Sequence, residues 1–296
     1  MWPNCAPGAE PARKTPRTVS RKLAVLGHPV AHSLSPVLHG AAYAHLGLDW
    51  HYGRHEVREH ELAGFLDGLD RSWRGISATM PLKEELFRIA DEWDDAVALT
   101  GAANTLLLTD DGRRIARNTD IAGIERALRD AGVDEVRHAS IAGAGATARS
   151  VLVALAGMGA HSASVAVRDA GRAGALVAVA EQLDLELDLV RLGDLEHVVE
   201  GADVVAWTLP NGVGLSQVLP FDARTTAVAL DVTYHPWPGP LAAQWLEVGG
   251  RVASGRDMLL HQAVRQVRFF VSGQTDEPLD NEASIELAMR TALDAA

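Results

Sequence analysis

The stretch His138-Ala139-Ser140-Ile141-Ala142-Gly143-Ala144-Gly145-Ala146-Thr147-Ala148 decides the fold. His138 to Ala142 reads as a strand and Gly143 to Ala148 as the turn that follows it; Arg149 to Met158 reads as a helix and Ser164 to Val167 as the next strand. This is G-x-G-x-x-A in the context that a dinucleotide site requires, strand before and helix after. An ordinary strand-to-helix turn can carry the same glycines, so the neighbouring segments matter. Asp203 to Trp207 and Thr226 to Val232 are apolar and β-rich, as strands of a parallel sheet buried on two faces must be. The expected fold class is therefore α/β, with a Rossmann-type doubly wound dinucleotide-binding domain over residues 122–254.

Outward from that unit, 296 residues at roughly 150 per domain leave room for a second domain with its own core. Leu23 to Gly27 is a short apolar strand ending at glycine, and Pro36 to Leu46 has helical composition. Ile76 to Thr79 is strand-like, and Pro81 can open a helix that carries Lys83 in its first turn. That is the wrong end of a helix dipole for a cation, so Lys83 invites an acidic partner. Near the C-terminus, Met258, Gln262 and Gln266 share one helix face, Gly273 suits the helix end, and a last helix from about Asn281 packs back on the first lobe. The expected substrate domain is an N-terminal α/β unit over residues 22–121 joined by residues 255–296. Residues 1–21, rich in Pro and Arg/Lys and without a secretory h-region, read as a disordered tail.

Composition narrows the function. A formal charge of -12 argues against a nucleic-acid partner, and no apolar run is long enough for a membrane span. Cys5 is the only cysteine, which fits a reducing, cytoplasmic compartment, although a secreted protein without disulfides would look the same. Of the 12 histidines, His28 and His32 stand closest to a ligand spacing, but Pro29 interrupts it and no cysteine or carboxylate cluster joins them, so no metal site is expected. Oligomeric state leaves no trace in the sequence.

Several short motifs follow one another in a known order: Ser33-Leu34-Ser35-Pro36, Thr79-Met80-Pro81-Leu82-Lys83, Gly101-Ala102-Ala103-Asn104-Thr105, Asn118-Thr119-Asp120, the glycine turn, Asp231-Val232-Thr233-Tyr234-His235-Pro236, and Gly255-Arg256-Asp257-Met258-Leu259-Leu260-His261-Gln262-Ala263. Each alone is unspecific. In this order, from about Lys22 to Gly273, the chain resembles the shikimate/quinate dehydrogenase family. The resemblance implies two lobes, the first with the last helices binding substrate and the middle one binding NADP. It also implies reversible reduction of 3-dehydroshikimate to shikimate.

Carried over residue by residue, the resemblance makes Ser33, Ser35 and Thr79 partners of the substrate carboxylate. It makes Asn104, Gln262, Tyr234 and Ser77 further parts of the substrate wall, Ser77 standing where the family often has asparagine. Serine and asparagine also serve as caps and turns, and a tyrosine at a strand end can belong to the core. Lys83 becomes the proton donor that steadies the developing alkoxide, with Asp120 holding it in place. Gly143, Ala144, Gly145, Ala146, Thr147, Arg168, Asp169, Thr208 and Gly255 become the cofactor wall. After the second Rossmann strand, Arg168 favours a 2'-phosphate while Asp169 would repel it and suit the free hydroxyl of NAD. The balance favours NADP and leaves NAD open. Ile121 replaces a common glycine, with Gly123 expected to keep that helix start open. Two other readings stand beside the first: an NAD-dependent quinate/shikimate dehydrogenase, and a catalytically silent sensor of shikimate-like ligands.

Overall fold

The computed structural model describes residues 20–210 and 212–296. The tail expected over residues 1–21 falls on residues 1–19, outside the described residues, save that Arg21 already belongs to the first strand.

The first lobe is built on β1 (Arg21–Gly27), α1 (Ser35–His45), β2 (Trp50–Glu56), α2 (Leu62–Asp67), β3 (Trp73–Ala78), α3 (Lys83–Arg88), β4 (Glu92–Trp93), α4 (Asp95–Thr100), β5 (Thr105–Leu108) and β6 (Arg114–Arg117). Its strands form one mixed sheet in the order β2-β1-β3-β5-β6-β4, with β1 parallel to β2 and β3 and β5 antiparallel to both neighbours. Period-two alternation sends Leu23 and Val25 to one apolar layer and Ala24 and Leu26 to the other, so β1 is buried on both faces.

The chain then runs through α5 (Asp120–Asp130), β7 (His138–Ala142), α6 (Ala146–Gly157), β8 (Ser162–Val167), α7 (Gly174–Gln182), β9 (Glu186–Arg191), α8 (Leu195–Val198), β10 (Val204–Trp207), α9 (Phe221–Thr226), β11 (Val228–Asp231), α10 (Pro240–Glu247) and β12 (Val252–Ser254). These strands form a wholly parallel sheet, β12-β11-β10-β7-β8-β9. Read from β9, this is the doubly wound order, whose direction reverses between β7 and β10; ligands bind at the C-terminal strand ends at such a point. Every residue of β10 and β11 is buried, which explains their unbroken apolar runs. Buried Asp231 ends β11 as a cap: its carboxylate accepts from Thr233 N at 3.1 Å, Leu241 N at 3.1 Å and Ala242 N at 3.0 Å.

The last helices, α11 (Gly255–Ser272) and α12 (Glu282–Asp294), return to the first lobe, where Leu260, Val264, Val267, Phe269 and Phe270 join Leu23, Val25 and Leu38 in one core. Gly273 ends α11 with φ 81°, the left-handed conformation that favours glycine. Two expected boundaries shift. Helix α3 begins at Lys83, because Thr79 to Leu82 form a turn closed by Leu82 N to Thr79 O at 2.9 Å, and Pro81 lies inside it. Helix α6 begins at Ala146, so Thr147 stands within its first turn.

Candidate active site

Two cavities meet at the wall between the lobes. The larger, about 680 Å³, opens over the β7 turn and the ends of β8 and β10. The smaller, about 170 Å³, lies above β1 and β3 beside α11. Thr79, Lys83 and Thr147 border both.

Lys83 owes its place to the preceding turn. Leu82 is fully buried, which anchors the start of α3 and leaves the lysine stem to reach into the cleft. Its Nζ donates to Asp120 Oδ2 at 2.6 Å and to Thr147 Oγ1 at 3.2 Å. Asp120 is the first residue of α5, where helix dipoles favour a carboxylate. Its other oxygen accepts from Asn104 Nδ2 at 2.8 Å. Asn104 also donates to Thr119 Oγ1 at 2.9 Å and to Gln262 Oε1 at 3.2 Å, and its own carbonyl oxygen accepts from Thr119 N at 2.9 Å. The side chains of Lys83 and Asp120 are 14% and 6% exposed, so this charge-assisted bond forms in a largely water-excluded site.

Ser33, Ser35, Ser77, Thr79, Asn104, Tyr234 and Gln262, all expected at the substrate, line the smaller cavity together with Lys83 and Asp120. Burial pushes the Tyr234 phenol above its ordinary range, against a hydrogen bond with Ser33, so it stays protonated. Gln266 lines the same wall at helical spacing from Gln262 and Met258. The face shared by these three was legible in the sequence, but Gln266's contact with the cavity was not. Beneath it, fully buried His39 is held neutral, its pKa lowered by burial to about 3 against the hydrogen bond to Gln266. With Tyr43, itself kept protonated by burial, donating to Nδ1 at 3.0 Å, the remaining ring N–H goes to Gln266 Oε1 at 3.1 Å. That assigns the Gln266 carbonyl to His39 and leaves its amide N–H groups for Asn104 O, at 3.4 Å, and the cavity.

Gly123 does not serve to open a helix start. A Cβ there would lie 2.8 Å from Gln262 Cβ and 2.9 Å from Met258 O, so its hydrogen is what lets α5 and α11 touch and brings Gln262 to Asn104.

Gly143, Ala144, Gly145, Ala146, Thr147, Arg168, Asp169 and Thr208 line the larger cavity. Gly143 turns the chain at φ 112°, and a Cβ on it would meet Thr208 Oγ1 at 2.5 Å; that hydroxyl donates to Ala142 O at 2.8 Å. Nothing stands within 4 Å of a Cβ at Gly145, the residue before the 12-residue helix α6. Free N–H groups at a helix start over open space suit a phosphate. Asp169 is tied down: Oδ1 accepts from Gly171 N at 2.9 Å and caps the short helical turn Ala170–Arg172. Gly255, expected with the cofactor wall, begins α11 and borders the smaller cavity instead. Sequence reading also missed Arg149 and Glu84, which join α6 to α3 across the larger cavity at 2.6 Å.

A doubly wound sheet with its glycine turn at the switch point, facing a buried Lys–Asp pair across a cleft, defines a two-lobed dehydrogenase. Comparison with known proteins says which kind. Residues 25–106 match the family model described as the shikimate dehydrogenase substrate binding domain. The shikimate dehydrogenase (NADP(+)) of Rubrobacter xylanophilus is 34% identical over 258 residues, 85% of this chain and 91% of that protein. The crystal structure of Mycobacterium tuberculosis shikimate dehydrogenase superposes with a TM-score of 0.78 at 37% identity, covering 93% of this chain and 100% of the other. That of the Thermus thermophilus enzyme in complex with NADP(H) and shikimate gives 0.75 at 31% identity, covering 92% and 99%. The chain belongs to the shikimate dehydrogenase family.

Proposed function

We propose that this chain is an oxidoreductase that reversibly reduces 3-dehydroshikimate to shikimate with NADPH. The observation that carries the reading is the Lys83–Asp120 pair, which stands where the two cavities meet. The residues divide the work. Ser33, Ser35, Ser77 and Thr79 offer hydroxyls to a carboxylate; Asn104 and Gln262 orient ring hydroxyls; the turn Gly143–Gly145 and the start of α6 hold a pyrophosphate. When bound, the nicotinamide cofactor supplies the hydride in reduction and accepts it in oxidation. As the ketone carbon gains hydride, its oxygen gains charge; the Lys83 ammonium stabilises that charge and donates a proton from Nζ, and solvent restores the proton afterwards. In oxidation the proton moves the other way. Asp120 accepts from Nζ throughout and fixes its direction.

Arg168 at the end of β8 supports NADP over NAD, since Asp169 spends one carboxylate oxygen on Gly171 N. We assign residues 21–119 with α11 and α12 to the substrate lobe and residues 138–254 to the cofactor lobe. Helix α5 serves both, because Ile124, Ala127 and Leu128 join the core around β7 while Gly123 meets α11. A cytoplasmic location, supported by the single cysteine, completes the reading.

The test is nicotinamide reduction by the purified protein with shikimate or quinate, each paired with NADP or NAD. Shikimate with NADP is expected to dominate. Dominance of NAD or quinate would shift the assignment to a quinate/shikimate dehydrogenase, and no turnover in any pairing would contradict an enzyme.

A further inference from the structure

Ser77 is 4% exposed at the floor of the smaller cavity, and among the described residues its hydroxyl is bonded to one side chain, the phenol of Tyr52. Tyr52 does not line the cavity. It stands on β2, two strands away, in register with Leu23 of the intervening β1, while Ser77 on β3 is in register with Val25. The ring therefore crosses β1 to reach the serine. It is held flat in that position: His39 stacks on it with ring centroids 4.0 Å apart and planes inclined by 8°. His39 is in turn fixed by Tyr43 and Gln266.

The direction of the Tyr52–Ser77 bond follows from satisfying both protons. Burial pushes the Tyr52 phenol far above its ordinary range, against the bond to Ser77, so its O–H is present at every working pH. Among the described residues that phenol makes no other hydrogen bond: were Ser77 the donor, a buried phenolic O–H would lack an acceptor and the cavity would lose its proton from Ser77. With Tyr52 as donor, both O–H groups are used, and the serine proton is the one left to turn toward the cavity. Its target is an acceptor on the ligand, alongside the hydroxyls of Ser33, Ser35 and Thr79.

We propose that Tyr52 is a positioning residue for substrate: by donating to Ser77 Oγ it sets the Ser77 hydroxyl as a donor to the carboxylate of the bound hydroxy acid. The inference rests on the function proposed above and extends it to a residue outside the cavity. It also gives a reason why serine suffices at position 77. One hydroxyl locked by a second one offers a single directed donor where an unlocked serine would rotate.

The test is a double-mutant cycle of Tyr52→Phe, Ser77→Ala and the two combined, with steady-state kinetics in shikimate and in NADP. Tyr52→Phe keeps the ring stacked on His39 and removes only the O–H. It is expected to raise the KM for shikimate about tenfold, the loss of one hydrogen bond to a charged group, with a much smaller change in kcat and an unmoved KM for NADP. Ser77→Ala is expected to do the same, and adding Tyr52→Phe to it is expected to change little. A Tyr52→Phe protein that matches wild type, or whose loss is as large in the Ser77→Ala background, overturns the proposal. Should Tyr52→Phe melt out, Ser77→Ala decides alone, and an unchanged KM for shikimate there overturns it too. Wild-type protein that neither binds nor oxidises shikimate overturns the function reading and this ligand with it, whereas active wild type with an indifferent Tyr52→Phe overturns this proposal only.

Discussion

Lys83 Nζ stands 2.6 Å from Asp120 Oδ2 and 3.2 Å from Thr147 Oγ1, so one ammonium ties the first turns of α3, α5 and α6 together. The proposed proton donor is thus also a contact between the lobes. On that proposal, substituting it removes both the charge that meets the developing alkoxide and the proton that neutralises it. Lys83→Ala is expected to lower kcat for shikimate by about 10²–10⁴-fold while NADP still binds, read by fluorescence titration. Unchanged turnover would remove Lys83 from the chemistry.

Asp120→Asn tests orientation separately. The amide preserves shape and can still accept from Asn104, but it then presents N–H groups to Nζ, donor against donor, and the lysine loses its fixed direction. We expect kcat to fall about tenfold or more, with the melting temperature changed less than by Asp120→Ala. Equal kinetics in wild type and Asp120→Asn would show that the carboxylate charge is not needed.

We expect cofactor choice to turn on two adjacent residues at the end of β8, Arg168 and Asp169. Arg168→Met is expected to weaken NADP about tenfold or more and NAD much less, because only the former carries the phosphate that a guanidinium grips. Asp169→Thr removes a negative charge from the same wall, where the carboxylate caps Gly171 N, and is expected to raise the NADP/NAD ratio of kcat/KM. Ratios that do not move in either variant would place the discrimination elsewhere.

Acid should find His39. Its folded pKa is lowered by burial to about 3 from 6.5, so the unfolded chain takes up the proton first. The stability involved is complete above pH 6.5 and is lost by about 1.4 kcal/mol per pH unit as pH falls from there toward 3. Burial lowers His261 too, against Glu286 and Asp130, and adds in the same direction. Thermal melts between pH 7.5 and 4.5 are expected to fall less steeply for His39→Gln than for wild type. Parallel curves would mean that His39 is not neutral in the folded protein.

What the sequence disclosed about this site follows from how local each feature is. The Gly143 turn was legible because a positive φ and a 2.5 Å approach to Thr208 admit no other residue, and that need appears as a glycine at fixed spacing from a strand. Met258, Gln262 and Gln266 were legible as one face because helical periodicity is a property of the segment itself. Tyr52 was not: its reach to Ser77 depends on β1 lying between β2 and β3, a sheet order that no window of sequence contains. The same holds for the contact of Gly123 with α11 and for the bond of Thr147 to Lys83 on the other lobe. The start of α3 was misplaced because Pro81 suits a first helical turn as well as it suits the turn it occupies.

Arg149 and Glu84 make the remaining case. Arg149 Nη2 donates to Glu84 Oε1 at 2.6 Å, linking α6 to α3 one residue after Lys83, and the guanidinium is 5% exposed while the carboxylate is 45% exposed. Arg149 Nε is buried without a hydrogen-bond partner among the described residues, so the guanidinium relies on this carboxylate. Removing the acid is therefore worse than removing the base. Glu84→Gln leaves a buried cation uncompensated and is expected to cost about 1–3 kcal/mol, the range being held down by water at the exposed carboxylate. Arg149→Met replaces the cation with an apolar chain and is expected to cost less in urea unfolding. Both loosen α3 against α6 and so are expected to lower kcat through the placement of Lys83. If Arg149→Met instead destabilises more than Glu84→Gln, the arginine's packing, not its ion pair, is what joins the lobes.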